Sequence, residues 1–277
     1  MNNLNRRLQT TLQQRFGETL DLPPDLPGAG DLLRIAEHRS HRRWATTPLP
    51  PELTRLLAAC ALSAPTKSYL QQVDIIDVRD AGQRAALAAL TPTMPWLADA
   101  PALLVFCGNG RRFKRLFDRK GLPFTNDHLD SFFNCVVDAS MVMMNFINAA
   151  SAAGLVCCSI SMLRNEAERL ARILQLPQRV VPVAGLCIGY PSFEASALAP
   201  LQPRLPLRAT FHVDRMGAAD DDTAIDDFDA RHVEARAASP GGAPNPRTWS
   251  AERTHQYATP QREDWGRFVR SQGFNLK

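Results

Sequence analysis

Leu4, Leu8, Leu12 and Phe16 recur at every fourth position, which predicts an amphipathic helix over residues 2–16. The stretch Leu22-Pro23-Pro24-Asp25-Leu26-Pro27-Gly28 breaks that pattern, and a second helix is expected from Asp31 toward His38. Pro51 suits the first turn of a helix ending near Leu62, with Leu53, Leu56, Leu57 and Cys60 on one face. Val73–Val78 reads as a strand, and Asp80 as the N-cap of an alanine-rich helix to Leu90. Ala102–Cys107 is short, apolar and bounded by Pro101 and Gly108, as a buried strand would be. The longest periodic segment runs from about Asp127 to Ala153, followed by Gly154 as a C′ residue. Its apolar face is expected to hold Phe132, Phe133, Val136, Val137, Met141, Met144 and Ile147, packed at the centre of the core.

Leu155–Ile160 follows as a short strand, and Asn165 with Glu168 matches a capping box opening a helix that Pro177 ends. Val180–Ile188 is another apolar strand, with Gly185 and Gly189 marking close backbone approach or a bulge. Beyond Met216 the composition turns acidic and then rich in Pro and Gly, so residues 217–247 read as a solvated arm. Helix returns at Ser250 and over Gln261–Gln272, before Gly273. Helices and strands do not alternate strictly, so an α+β sandwich with helices around one sheet is expected, not a doubly wound fold. Residues 1–216 would form its core with the N-terminal helix, and 217–277 an arm and helical tail of the same domain.

A chain of 277 residues, 45% hydrophobic and 22% charged, can bury a sizeable core, which excludes wholesale disorder and disulfide miniproteins. The net charge of +4 is mild and no Lys/Arg block stands out, so nucleic acid is not implied. The start lacks an apolar h-region, and no uncharged run is expected to supply the roughly 18 apolar residues of a spanning helix, so a cytoplasmic protein without membrane contact is expected. Cys60, Cys107, Cys135 and Cys187 lie in apolar stretches, as buried free thiols do. Neither cysteines nor histidines show metal-ligand spacing, so no metal is expected.

Four polar segments could carry chemistry. His38-Arg39-Ser40-His41-Arg42-Arg43 places arginines and a hydroxyl beside a helix end, where guanidinium forks and N–H groups can chelate a phosphate; the same composition also describes a solvated basic loop. Ala64-Pro65-Thr66-Lys67-Ser68-Tyr69-Leu70-Gln71 offers donors to a polar heterocycle, or simply joins a helix to a strand. Cys158–Asn165 is a polar loop before a helix, and Gln202-Pro203-Arg204-Leu205-Pro206 fixes one arginine between prolines. Neither G-x-G-x-x-G, nor a Walker A run, nor a G-x-S-x-G elbow is present.

In this order, H-R-S-x-R, A-P-T-K-S-x-x-Q, a long helix ending A-A-x-A-x-G-L, L-R-N, L-x-L-P-x-x-V-x-P-V-x-G-L-C-I-G-Y-P and P-R-L-P resemble the FMN-dependent nitroreductase superfamily. The resemblance is strongest to the major, group A oxygen-insensitive NADPH nitroreductases and spans about Asp31–Met216, with a fainter echo in Arg247-Thr248-Trp249-Ser250 and Gly273-Phe274. It implies a nitroreductase-like sandwich with a mostly antiparallel central sheet and terminal segments embracing the partner in a homodimer. It further implies that His38, Arg39, Ser40 and Arg42 hold the FMN phosphate and ribityl chain, with Arg204 on the phosphate. Thr66, Lys67, Ser68 and Gln71 would line the flavin ring, and Ser159, Ile160, Ser161 and Met162 its far edge. Arg247 is the candidate for the NADPH 2′-phosphate.

Two positions depart from the family pattern. Gln202 stands where relatives carry lysine, leaving more phosphate binding to Arg42 and Arg204. Met94 stands at or near a flavin-side glutamine, making it a substrate-pocket candidate that bears on acceptor choice. The implied activity is ping-pong hydride transfer from NADPH or NADH through FMN to nitroaromatic, quinone or similar acceptors, with the flavin and no catalytic side chain carrying the chemistry. Enone reduction, reductive dehalogenation, flavin modification or flavin binding without turnover are the alternatives.

Overall fold

The computed structural model describes residues 2–192, 200–217, 221–239 and 241–277. In chain order its helices are α1 (Asn3–Phe16), α2 (Ala29–Ala36), α3 (Pro51–Leu62), α4 (Ala81–Ala89), α5 (Arg111–Lys120), α6 (Leu129–Ala152), α7 (Ala167–Ile173), α8 (Asp221–Ala237), α9 (Trp249–Tyr257) and α10 (Trp265–Ser271). Its strands are β1 (Val73–Asp77), β2 (Ala102–Asn109), β3 (Val156–Ile160) and β4 (Val180–Gly189). The chain divides into two compact units, a sheet unit of residues 40–197 with 261–277 and a helical unit of residues 1–39 with 198–260.

In the sheet unit the four strands lie in the order β1-β2-β4-β3, each pair antiparallel, which gives the expected α+β architecture. β2 and almost all of β4 are buried on both faces, so their sequences read as unbroken apolar runs rather than alternating ones. Leu104, Phe106, Leu186 and Ile188 face a core shared with α3 and α6. Leu103, Val105 and Cys107 face a second core with Leu87 of α4 and Leu170 of α7. Each fully buried large side chain contributes about 1.5–3 kcal/mol by leaving water. At Gly185 a Cβ would stand 2.7 Å from Leu163 Cδ1, and at Gly189 it would meet Pro101 and Trp44, so both glycines permit close approach.

Several sequence expectations need correction. The buried apolar residues of α6 are Cys135, Ala139, Val142, Met143, Phe146, Ile147 and Ala150, beside the polar Ser131 and Asp138, and of the expected face only Ile147 is buried. Small residues let α6 approach the sheet closely, with Phe106 and Phe146 edge to face at 5.7 Å, while Phe133, Met141 and Met144 stay exposed. By length and composition α6 is apolar enough to cross a membrane, contrary to expectation, and here it packs in the core of the sheet unit. In α3 the buried positions are Thr54, Leu57 and Ala61, while Leu56 and Cys60 are exposed. The Asn165–Glu168 box does not form, because a 3-10 turn takes up Met162–Glu166 and α7 starts without a side-chain cap. α5 was not anticipated; six cations hide its Phe113, Leu116 and Phe117 stripe.

The C-terminal tail belongs to the sheet unit. Arg179 forks onto Asp127 at 2.6 and 3.0 Å, donates to the Gly273 carbonyl at 2.7 Å and lies over Phe274. In the helical unit the expected solvated arm is instead largely the helix α8, which buries Ala224, Phe228, Asp229 and His232. Trp249 packs edge-to-face on Phe228 at 5.2 Å, Thr248 caps α9, and the Asp229 carboxylate accepts from Ser250 N at 2.9 Å and from its hydroxyl. The buried face of α1 is Asn5, Leu8, Thr11 and Arg15, largely polar rather than a leucine stripe. Asn5 Nδ2 donates to the Pro24 carbonyl and Gln9 Nε2 to that of Leu20, so the helix serves the extended segment that follows it.

Candidate functional site

The helical unit is organised around a residue that no motif flagged. Arg15, 5% exposed, donates to the carbonyls of Ala36 at 2.9 Å, Gln202 at 2.7 Å and His38. Its own carbonyl accepts from Arg204 N at 2.5 Å and from Arg231 Nη1 at 3.0 Å, while Arg231 Nη2 reaches the Arg204 carbonyl at 2.8 Å. The Arg15 guanidinium thereby ties the backbones of the His38–Arg39 and Gln202–Arg204 segments together, while Arg204 Nη1 donates to the Pro203 carbonyl at 3.1 Å. Burial pushes the Arg15 guanidinium down to about 10, and the like charges of Arg204 and Arg39 add to that. Burial lowers His38 as well, followed by Arg15 and Arg204. None of Arg15, Arg39 and Arg204 forms an ion pair among the described residues, and Arg39 Nε is buried without a hydrogen-bond partner. Crowded cations with spare donors suit an anion.

In the sheet unit, Ser40 bridges to Cys157, and His41 N donates to the Cys157 carbonyl at 2.9 Å, so this segment is stitched to β3. Arg42 is exposed and lies 5.8 Å over the Trp96 ring, which sits 6.0 Å from Trp44. Met94, Trp96, Trp44 and Met162 pack partly buried on one core, and the Thr93 hydroxyl approaches Met162 Sδ at 3.3 Å. Met94 and Met162 therefore share one apolar platform. Ile160 is buried at the end of β3, while Ser159 and Ser161 are exposed.

The Thr66–Gln71 segment is held elsewhere in that unit. Ser68, Tyr69 and Gln71 have φ of 48°, 61° and 51°, a left-handed backbone that non-glycine residues rarely adopt. The fully buried carboxylate of Asp138 on α6 holds the turn by accepting from Lys67 N at 2.9 Å and Gln72 N at 3.1 Å. Arg112 on α5 donates to the carbonyls of Gln71 and Val73 while pairing with Asp74 at 2.6 Å. Lys67, Ser68 and Gln71 stay exposed, their side chains available. Arg247 stands exposed just before the α9 cap and outside the Arg15 cluster.

A second histidine of the helical unit shares the behaviour of His38. His232 is lowered mainly by burial, with Arg236 and Arg253 adding to that and Glu252 and Asp229 opposing it. Both imidazoles are thus kept neutral in the folded state, and the unfolded chain binds protons first as pH falls. Stability is full above the ordinary histidine value of 6.5 and declines below it. The expected result is a Tm that drops between pH 7.5 and 5.5 in a thermal melt series, with a shallower drop in His232→Gln.

The model of the nitroreductase family matches residues 35–190, more than half of the chain. The chain belongs to the nitroreductase family. The model of the family's C-terminal domain matches residues 202–277. An FMN reductase (NADPH) of Bacillus subtilis is 31% identical over 190 residues, 68% of this chain and 75% of the relative. An oxygen-insensitive NADPH nitroreductase of Salmonella typhimurium is 32% identical over 178 residues, 64% of this chain and 71% of its own. The structure of NfrA2 from B. megaterium superposes with a TM-score of 0.82 at 29% identity, covering 89% of this chain and 98% of that one. In this nitroreductase-family chain the His38–Arg42 and Thr66–Gln71 segments both lie within the first match, whereas Arg204 and Arg247 lie in the second.

Proposed function

We propose that the chain is an FMN-dependent NAD(P)H oxidoreductase that delivers electrons to nitroaromatic, quinone or similar acceptors. The observation carrying this reading is the cluster of the Arg15, Arg39 and Arg204 guanidinium groups beside the neutral His38 imidazole, cations with no acidic partner among the described residues. That donor set fits a phosphate, and guanidinium forks match its oxygens. The phosphate reading rests on the helical unit alone, and the ring reading on the sheet unit alone. There the Thr66–Gln71 turn offers Lys67, Ser68 and Gln71 to the polar edge of a heterocycle. The Trp44, Met94, Trp96 and Met162 platform offers an apolar surface that excludes water from a planar ring, with Ser159 and Ser161 as nearby donors.

When bound, FMN supplies the two-electron chemistry, so this chain's residues need only bind, orient and shield. NADPH is the preferred reductant, with Arg247 toward its 2′-phosphate, and reductant and acceptor use the same space in turn, which gives ping-pong kinetics. Leu56, Leu62, Phe133, Met141 and Met144 are exposed on the packed helices α3 and α6, an apolar surface suited to a second copy in a homodimer. The working compartment is the cytoplasm.

Purified protein should be yellow and should bleach anaerobically with NADPH; colourless protein that takes up no added FMN refutes the reading. Arg204→Ala is expected to weaken FMN retention by about 1.5–3 kcal/mol, the worth of a charge-assisted contact. Flavin content after desalting measures this, and an unchanged content removes Arg204 from the phosphate site.

A further inference from the structure

A cavity of about 550 Å³ in the sheet unit opens between the left-handed turn and α5. Tyr69 and Gln71 line it from the turn, and Phe113, Arg115, Leu116 and Arg119 from the helix. Its volume falls within the span of small-molecule sites. Tyr69 is 85% exposed on a backbone at φ 61°, an aromatic ring held open at a strained position. Phe113 is braced edge to face by Phe117 at 5.2 Å and by Phe124 at 5.3 Å, which makes the apolar wall stiff.

The charges of this cavity are in tension with the helix that carries them. Arg111 and Arg112 occupy the first turn of α5, where the helix dipole favours acids, and Arg115 and Arg119 form a like-charge pair at i, i+4. Arg112 is accounted for by Asp74 and two carbonyls, and Lys114 by Asp118. Arg115 and Arg119 have no ion-pair partner among the described residues. Two uncompensated guanidinium groups beside aromatic walls recognise a planar molecule bearing an acid group.

We propose that this cavity selects electron acceptors whose aromatic ring carries a carboxylate or sulfonate, with Arg115 and Arg119 on the anion and Tyr69 and Phe113 against the ring. The inference rests on the oxidoreductase reading, and Gln71 links the two, since it also belongs to the turn assigned to the flavin ring. The probes are 4-nitrobenzoate and its neutral counterpart 4-nitrobenzyl alcohol. In Arg115→Gln/Arg119→Gln the ratio of their kcat/KM values should fall about fivefold in favour of the alcohol, as loss of partly screened charge contacts predicts. Added salt should erode the same preference in the unaltered protein. Calorimetric titration of 4-nitrobenzoate into the oxidised protein gives a readout independent of turnover and should weaken by a similar factor in the variant. A ratio and a titration unmoved by the double substitution overturn the proposal. So does an effect confined to flavin reduction by NADPH, which would assign the arginines to the nucleotide. Failure of the flavin reading is separate: it is protein that takes up no FMN, and the titration still decides the cavity.

Discussion

Arg15→Met is expected to lower stability by about 3–6 kcal/mol, because the carbonyls of Ala36, His38 and Gln202, in half-buried positions, each lose their donor. Domains of this size have only about 5–15 kcal/mol in reserve, so the variant sits near the edge of folding. The corresponding drop in Tm is about 10 °C or more. Arg15→Lys keeps the charge and loses the fork, since one ammonium cannot span carbonyls on three segments. It should therefore fall between the parent and the methionine variant in a melt, yet retain little FMN, because the His38–Arg39 and Gln202–Arg204 segments are no longer fixed to each other. A lysine variant with full flavin content and unchanged Tm would reduce Arg15 to a bystander.

The same cluster predicts how ligand and stability are linked. Arg39 and Arg204 lower the buried Arg15, so an anion that relieves their repulsion stabilises the helical unit as well as filling it. Added FMN should raise the Tm of the parent protein, and raise it less in Arg204→Ala.

What could be read from the sequence follows from how local each signal is. β2 and β4 were legible because burial on both faces produces continuous apolar runs, and Asp80 and Gly154 because caps act within a few residues. The face of α6 was not legible: Cys135, Ala139 and Ala150 are weak apolar signals but lie against the sheet, while Phe133 and Met141 are strong ones and face outward. α8 was obscured by its aspartates, of which Asp229 is buried as a cap-like acceptor for Ser250. The candidate site divides in the same way. His38–Arg42 and Thr66–Gln71 are contiguous segments with recognisable order. Arg15 and Asp138 act on backbone 187 and 71 residues away, at Gln202 and Lys67, which no local pattern reveals. A weak hint existed for Arg15, which shares a helix face with Leu8 and Thr11, and for Asp138, an acid inside a long apolar segment.

Asp138→Ala is the second large effect expected, and it separates positioning from stability. Three left-handed residues, Ser68, Tyr69 and Gln71, hold a conformation that costs about 1–2 kcal/mol apiece, and the carboxylate bonds to Lys67 N and Gln72 N help offset it. Each of those bonds is charge-assisted and worth about 1.5–3 kcal/mol, so their loss both destabilises the unit and frees the turn to relax toward ordinary backbone. Lys67, Ser68 and Gln71 then lose their fixed positions although none of them has been altered. The expected outcome is a loss of about 3 kcal/mol in stability together with slower flavin reduction by NADPH, while FMN retention, which rests on the helical unit, changes little. Asp138→Asn retains one acceptor oxygen but turns an NH2 group toward a backbone N–H, and should resemble the alanine variant more than the parent. Denaturant titration, desalted flavin content and anaerobic stopped-flow reduction measure the three quantities separately. Equal losses in all three would make Asp138 a purely structural residue; slower reduction with retained flavin is what a carboxylate that shapes the turn predicts.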